Sequence, residues 1–165
     1  MKILFICTHN RCRSILSEAI TNHMGNGRIL ARSAGSQPSG EVHPLSIFYL
    51  EEQGIATDDL QSQSWDEFED FAPDLVITVC DSAAGESCPL WFGKSLKIHW
   101  GLADPSKLQG SEEDKADAFR NTIKEIENEI FEDPDLYNFC VESKVASYLE
   151  SAITKALSTD TPMDL

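Results

Sequence analysis

The chain has 165 residues, 41% of them hydrophobic, and its 13 basic and 28 acidic residues give a formal net charge of −15. This length and composition suffice for one domain with its own hydrophobic core. The negative charge repels polyanions and excludes nucleic acids and anionic membranes as partners, but a local cluster of arginines can still bind a small anion.

Strands and helices are predicted to alternate along the chain. Short apolar runs predict four strands, at residues 2–6, 28–35, 74–80 and 95–100. Helical spacing predicts five helices, at residues 14–24, 43–54, 64–71, 111–132 and 139–157. This alternation favours a three-layer α/β/α fold with a central four-stranded parallel sheet. We therefore expect a single domain over residues 1–158 and a disordered tail at 159–165.

Capping residues mark several of the predicted helix boundaries. Pro44 stands in the first turn of the second helix, and Gly54 follows its end. Ser64 is placed to cap the third helix, while Ser111 and Asp114 are spaced as a capping box for the fourth. The local sequence therefore predicts where these helices begin.

The cysteines indicate thiol chemistry more than structural bonding. Their odd number and low density argue against a disulfide framework, and with no C-x2-C or paired-histidine spacing we expect no metal site. No apolar run approaches the roughly 18 residues of a membrane span, and no signal peptide is recognisable, so we expect a cytoplasmic protein. The five cysteines are Cys7, Cys12, Cys80, Cys88 and Cys140.

The segment CTHNRCRS, residues 7–14, joins the first predicted strand to the first helix. At the carboxyl edge of a parallel sheet, a helix N-terminus favours an anion and lowers the pKa of a nearby thiol. Arg13 can hold two oxygens of an anion, Ser14 can donate to a thiolate, and Asn10 can bend the loop. To ionise at neutral pH, Cys7 requires a pKa about two units below its free value near 8.5.

A plainer interpretation of the same loop stays open at this point. Cys7 could end a buried strand as a small apolar residue, with the arginines solvated.

The pattern Cys-x5-Arg-Ser after the first strand, with SAG at 33–35 and ADPS at 103–106, resembles the low-molecular-weight protein tyrosine phosphatases and the arsenate reductases built on their fold. The resemblance extends to about residue 130. It implies that Cys7 is the nucleophile, that Arg13 clamps the anion and that Asp104 is the general acid. Ser106 stands where the phosphatases usually have tyrosine. The implied substrate-binding residues are Thr8, His9, Asn10, Arg11, Cys12, Arg13 and Ser14.

Cys80 and Cys88 distinguish a reductase from a phosphatase, which needs neither thiol. The resemblance to the thiol-relay arsenate reductases implies that Cys80 attacks the Cys7 adduct and that Cys88 then attacks Cys80. The spacing between Cys80 and Cys88 is one residue longer than in the best-known thioredoxin-coupled members, so thioredoxin, glutaredoxin and glutathione all stay open as reductants. Cys12 could instead trap an oxidised Cys7. The alternative is that Cys80 is a buried strand-end residue and Cys88 an incidental surface thiol.

The sequence therefore predicts a monomeric arsenate reductase with no bound cofactor, which reduces arsenate to arsenite at the expense of an external thiol. A phosphatase acting on phosphomonoesters is the first alternative, because arsenate and phosphate are both tetrahedral oxyanions. A non-catalytic oxyanion-binding or redox-sensing module is the second alternative, and Asp104 argues against it because a sensor needs no general acid.

Overall fold

A computed structural model of the chain describes residues 1–85, 92–93 and 95–158. Its four strands form one parallel sheet with the order β2-β1-β3-β4. The predicted four-stranded parallel sheet is confirmed. The strands are β1 (Lys2–Ile6), β2 (Leu30–Ala34), β3 (Leu75–Thr78) and β4 (Leu96–His99).

The central strand β1 brings the first functional loop to the middle of the sheet edge. Ile6, its last residue, pairs with Ala34 of β2 on one side and Thr78 of β3 on the other. Ile3, Leu4 and Phe5 have no exposed surface, as expected for a strand covered on both faces. Residues that follow β1 and β3 therefore emerge side by side.

Helices flank this sheet, as expected for a three-layer α/β/α fold. The first, α1, contacts both β1 and β2, and it also packs against α2, α4 and α5. Short 3-10 helices lie at Trp65–Phe71 and at Pro105–Lys107. The α-helices are α1 (Arg13–Gly25), α2 (Pro44–Glu52), α3 (Asp81–Ala84), α4 (Glu112–Glu132) and α5 (Pro134–Ser158).

The helix boundaries mostly follow the capping signals. The predicted capping box forms at Ser111 with Asp114, and Ser64 caps its helix as predicted, here in a capping box with Glu67. The short helix predicted after Ser64 is present and is a 3-10 helix. The final helix begins at Pro134, five residues before its predicted start, because proline is well suited to the first helical turn.

Two further expectations concern the chain as a whole. Within the residues that the structure describes, no helix is both long and apolar enough to span a membrane. The predicted tail, residues 159–165, lies outside the described residues.

Candidate active site

The loop between β1 and α1 turns sharply at Asn10. This residue adopts a left-handed backbone with φ of 44°, which asparagine tolerates better than most residues, as the sequence predicts. Gly35, from the SAG motif, lies directly against the loop: a Cβ atom there would sit 2.5 Å from the Thr8 carbonyl oxygen and 2.8 Å from that of Cys7. The loop thus packs on a position where only glycine fits without a shift.

A buried chain of polar side chains supports the loop from below. Asn10 Nδ2 donates to the hydroxyls of Ser14 and Ser33, each at 2.9 Å, and Asn10 Oδ1 accepts from the Gln63 amide at 2.8 Å. Ser33 in turn donates to Glu18 Oε2 at 2.5 Å. These contacts hold Asn10 from three sides and fix the bend of the loop.

Glu18 is the ionisable end of this chain. It is 2% exposed, and burial raises the pKa of its carboxyl from 4.5 to about 7, despite the opposing effects of Ser33 and Arg32. The Arg32 guanidinium lies 3.9 Å from Glu18 Oε1, at the limit of an ion pair. A carboxyl that titrates near neutral pH therefore lies beneath the loop.

The loop forms the floor of a cavity of about 290 Å³. Residues from four separate segments line it: the loop after β1, the segment between β2 and α2, the segment after β3 and the segment after β4. They are Cys7, Thr8, His9, Asn10, Arg11, Cys12, Arg13, His43, Cys80, Ser82, Asp104, Ser106 and Lys107.

Arg13 and Asp104 face each other in this cavity. Arg13 Nη1 donates to the Leu102 carbonyl at 3.0 Å, and Nη2 donates to Asp104 Oδ2 at 3.4 Å. Asp104 Oδ1 accepts from both the amide and the hydroxyl of Ser106, at 3.0 and 2.6 Å. The guanidinium thus connects the loop after β1 to the loop after β4, next to the Cys7 thiol.

Cys7 and Cys80 form a hydrogen-bonded pair of thiols. The Cys7 thiol donates to Cys80, and this bond, with burial, raises the pKa of Cys7 well above its usual range even though Arg13 opposes the shift. The same bond, with donors from Thr8 and Ala83, lowers the pKa of Cys80 to about 5. The Thr8 hydroxyl lies 3.8 Å from the Cys80 sulfur.

The pKa expectation for Cys7 was therefore wrong in direction. The sequence pattern indicated a helix terminus and an arginine beside Cys7, but it could not show that a second thiol would compete for the same charge. With one proton shared between two sulfurs, the negative charge is held on Cys80. Ser14 is fully buried, and its hydroxyl accepts from Asn10 beneath the loop.

The remaining predicted residues occupy different positions around the cavity. Cys12 is 4% exposed, and burial raises the pKa of its thiol to about 12. His9 is exposed, and its Nδ1 lies 3.1 Å from the Gln37 carbonyl oxygen. Thr8 and Arg11 also line the cavity. Cys88, the predicted outer relay thiol, lies outside the described residues.

Sequence reasoning missed four cavity residues: His43, Ser82, Ser106 and Lys107. His43 caps α2 by accepting the Leu45 amide on Nδ1 at 3.1 Å, and burial lowers the pKa of its ring. Pro44 in the first helical turn was the available signal for a capping residue at His43. Lys107 carried no comparable local signal. No cluster of three metal-ligating side chains occurs among the residues described.

A comparison with known protein families shows to which family the chain belongs. The family model described as low molecular weight phosphotyrosine protein phosphatase matches residues 2–132. The chain belongs to this family. The resemblance found in the sequence motifs is thereby confirmed.

Curated relatives of this chain include arsenate reductases. An arsenate reductase of Halalkalibacterium halodurans is 34% identical over 124 residues, which cover 75% of this chain and 88% of that protein. A glutaredoxin arsenate reductase of Synechocystis sp. is 35% identical over 107 residues, which cover 63% of this chain and 78% of that protein.

Solved structures show the same relationship. An arsenate reductase in the phosphate-binding state matches with a TM-score of 0.62 and 30% identity, over 77% of this chain and 94% of the other. A thioredoxin-dependent arsenate reductase of Corynebacterium glutamicum matches with a TM-score of 0.61 and 26% identity, over 88% of this chain and 62% of the other. The relatives thus include proteins named for two different thiol reductants.

Proposed function

We propose that the protein is an arsenate reductase that converts arsenate to arsenite through a covalent adduct on Cys7 and a thiol relay. One observation carries this proposal: Cys80 lies in hydrogen-bond contact with Cys7, inside the cavity that also holds Arg13 and Asp104. A hydrolytic phosphatase has no use for a second thiol at this position, whereas reduction requires one.

In the first step, Cys7 attacks the bound oxyanion. Arg13 and the loop amides hold the arsenate oxygens, and the Cys7 proton passes to the Cys80 thiolate along the hydrogen bond between them. An S–As bond forms and one As–O bond breaks. Asp104 gives its proton to the departing oxygen, which leaves as water.

In the second step, the adduct is reduced. Cys80 loses its proton to solvent and attacks the Cys7 sulfur, so that an S–S bond forms and the S–As bond breaks. The electron pair of the S–As bond stays on arsenic, which leaves as arsenite. Two thiols are oxidised to one disulfide while arsenic(V) gains two electrons, so the redox change balances.

The third step regenerates Cys7. Cys88 attacks Cys80, the Cys7 thiolate is released, and the Cys80–Cys88 disulfide is reduced by an external dithiol. The relatives' names support thioredoxin and glutaredoxin alike as that dithiol. Such a relay needs reduced thiols at rest, which suits a reducing compartment such as the cytoplasm. We also propose a monomer as the active unit.

The lining of the cavity favours a small oxyanion over an aryl phosphate. Its described lining residues include histidines but no phenylalanine, tyrosine or tryptophan that could stack on a substrate ring. Ser106, placed after Pro105, turns its hydroxyl toward Asp104.

The direct test couples arsenate to NADPH consumption. Purified protein is assayed with thioredoxin, thioredoxin reductase and NADPH, and in parallel with glutaredoxin and glutathione. We expect arsenate-dependent NADPH oxidation with at least one system. No turnover with any reductant, together with fast hydrolysis of aryl phosphates, would overturn the proposal in favour of a phosphatase.

The Cys80→Ser variant tests the relay itself. We expect it to lose arsenite release, because no thiol can then attack the adduct. It should still hydrolyse p-nitrophenyl phosphate, because without Cys80 the largest influence that raises the pKa of Cys7 is gone and Arg13 favours the Cys7 thiolate. Hydrolysis by the same variant is the control for folding and anion binding. Normal arsenate turnover by Cys80→Ser would require another residue in the role of Cys80.

A further inference from the structure

Ser106 makes a contact that the mechanism above does not use. Its hydroxyl donates to Asp104 Oδ1 at 2.6 Å, the shortest of the contacts that hold this carboxyl, and its amide donates to the same oxygen at 3.0 Å. The other oxygen, Oδ2, faces Arg13 Nη2 at 3.4 Å. The two oxygens of Asp104 therefore have different surroundings.

We propose that Ser106 is a positioning residue that fixes the Asp104 carboxyl so that Oδ2, the oxygen facing the anion site, delivers the proton to the departing oxygen. This inference rests on the proposed role of Asp104 as general acid. It assigns to Ser106 a part in the reaction that the family motif alone does not specify.

The two donors of Ser106 make different contributions. Asp104 caps the 3-10 helix Pro105–Lys107, and an aspartate in that position ordinarily accepts the amide two residues on. The hydroxyl bond is additional to this turn and depends on the side chain. A proton on Oδ1 would face the two hydrogens that Ser106 donates at 3.0 and 2.6 Å, whereas Oδ2 accepts only the longer contact from Arg13 at 3.4 Å, so the acid proton belongs on Oδ2.

Rotation of the carboxyl is the alternative that these contacts prevent. An aspartate carboxyl has a broad, roughly two-fold torsional preference, so without a fixed donor its two oxygens exchange places readily. Asp104 and Arg13 are each only 16% exposed, so the position of Oδ2 decides the proton path inside the cavity. Removing the hydroxyl should lower the rate of the chemical step and leave anion binding intact.

The experiment is a double-substitution cycle on arsenate turnover. We compare the wild type with Ser106→Ala, Asp104→Asn and the combination of both, and we add Ser106→Thr as the conservative variant. Ser106→Ala is expected to lower kcat about tenfold, a fraction of the usual contribution of a general acid, while KM changes less than twofold. Ser106→Thr should restore kcat to within about twofold of wild type, because the hydroxyl donor is retained. Ser151→Ala, on the exposed end of α5, is the matched control and should leave both constants unchanged.

The Asp104→Asn background separates positioning from a structural role. If Ser106 acts through Asp104, Ser106→Ala should cause no further loss once the acid is absent. An equal loss in both backgrounds, or wild-type kcat in Ser106→Ala, would overturn the inference.

Failure of the proposed function gives a different result. If Asp104→Asn itself turns over arsenate normally, the acid assignment fails, and the inference fails with it. If the wild type does not reduce arsenate at all, the same variants are measured on phenyl phosphate, whose poor leaving group also needs the acid. On phenyl phosphate we expect the same effects of the variants on kcat and KM, and the same results would overturn the inference.

Discussion

At the scale of single residues, Cys7 and Cys80 act as one ionisable unit. Two thiols joined by a hydrogen bond lose their first proton easily and their second with difficulty, and both pKa values belong to the pair. Donors from Cys7, Thr8 and Ala83 converge on the Cys80 sulfur, so the resting charge is held on Cys80, the proposed relay thiol, and not on Cys7. The cavity therefore already contains a base beside the proposed nucleophile before an oxyanion binds.

This arrangement predicts thiolate formation at unusually low pH. The ultraviolet absorbance of thiolate should rise with a midpoint near pH 5, because Cys80 loses its proton there while Cys7 keeps its own. Below that midpoint both sulfurs are protonated, and alkylation of Cys80 should become slow. Cys80→Ser should remove this low transition. A first transition near the free-cysteine value of about 8.5 in the wild type would contradict the shared-proton arrangement.

At the scale of secondary-structure elements, the loop after β1 depends on contacts from α1 and β2. The side chains of Ser14 and Glu18 come from α1, and that of Ser33 comes from β2. Together they tie Asn10 to the body of the domain. Because Glu18 is nearly fully buried, its protonation state affects the stability of this junction.

The raised pKa of Glu18 predicts that the free energy of unfolding decreases as pH rises. In the unfolded chain its carboxyl loses a proton near pH 4.5, but in the folded protein it keeps the proton up to about pH 7. The free energy of unfolding should therefore decrease between these pH values, by about 3 kcal/mol from this group. Urea unfolding of the wild type and of Glu18→Gln across this range isolates the effect, since glutamine stays neutral and can still accept from Ser33. Parallel pH profiles of the two proteins would contradict the prediction.

The elements themselves were largely predictable because their signals are local. The run KILFI and the Pro44 and Ser111 caps act within a few residues, and β1, α2 and α4 lie where those signals place them. The contents of the cavity were predictable only in part. The loop motif and the known edge of a parallel sheet bring Cys7, Arg13 and Cys80 together, as expected.

The contacts that could not be predicted join residues far apart in sequence. The proton shared by Cys7 and Cys80, and the bond from Arg13 to the Leu102 carbonyl, depend on distances that no short pattern encodes. The same is true of the burial that raises the pKa of Glu18. Each arises from the packing of separate elements, which sequence spacing does not reveal.

At the scale of the whole molecule, the described residues of the cavity gather at one edge of the sheet, and the end of α5 is exposed. Leu136 near the start of α5 is fully buried, whereas the side chains at 148–158 are all exposed. Tyr148 and Leu157 are 75% and 71% exposed. The beginning of α5 therefore belongs to the core, and its last three turns contribute little to it.

Shortening the chain tests this division. A protein ending at residue 147 should unfold with a free energy within about 0.5 kcal/mol of the full chain, because the removed side chains that the structure describes are exposed. Leu136→Ala should instead cost about 2–5 kcal/mol, since it leaves a cavity in the core. Urea denaturation measures both, and arsenate turnover of the shortened chain checks that the cavity is intact. A large loss of stability on shortening would place the end of α5 in the core.

Because the strands of the sheet are parallel, the amino terminus offers a site at which a label or a linker can be attached. Met1 and Cys7 lie at opposite ends of β1, six residues apart, a distance of about 20 Å along an extended strand. The amino terminus therefore lies at the opposite edge from the cavity, and its ammonium contacts only the Arg28 carbonyl, at 3.1 Å, among the hydrogen bonds described for it. A fluorophore or a surface linker coupled there would leave the thiols accessible, so the protein could be immobilised as an arsenate sensor without blocking its own chemistry.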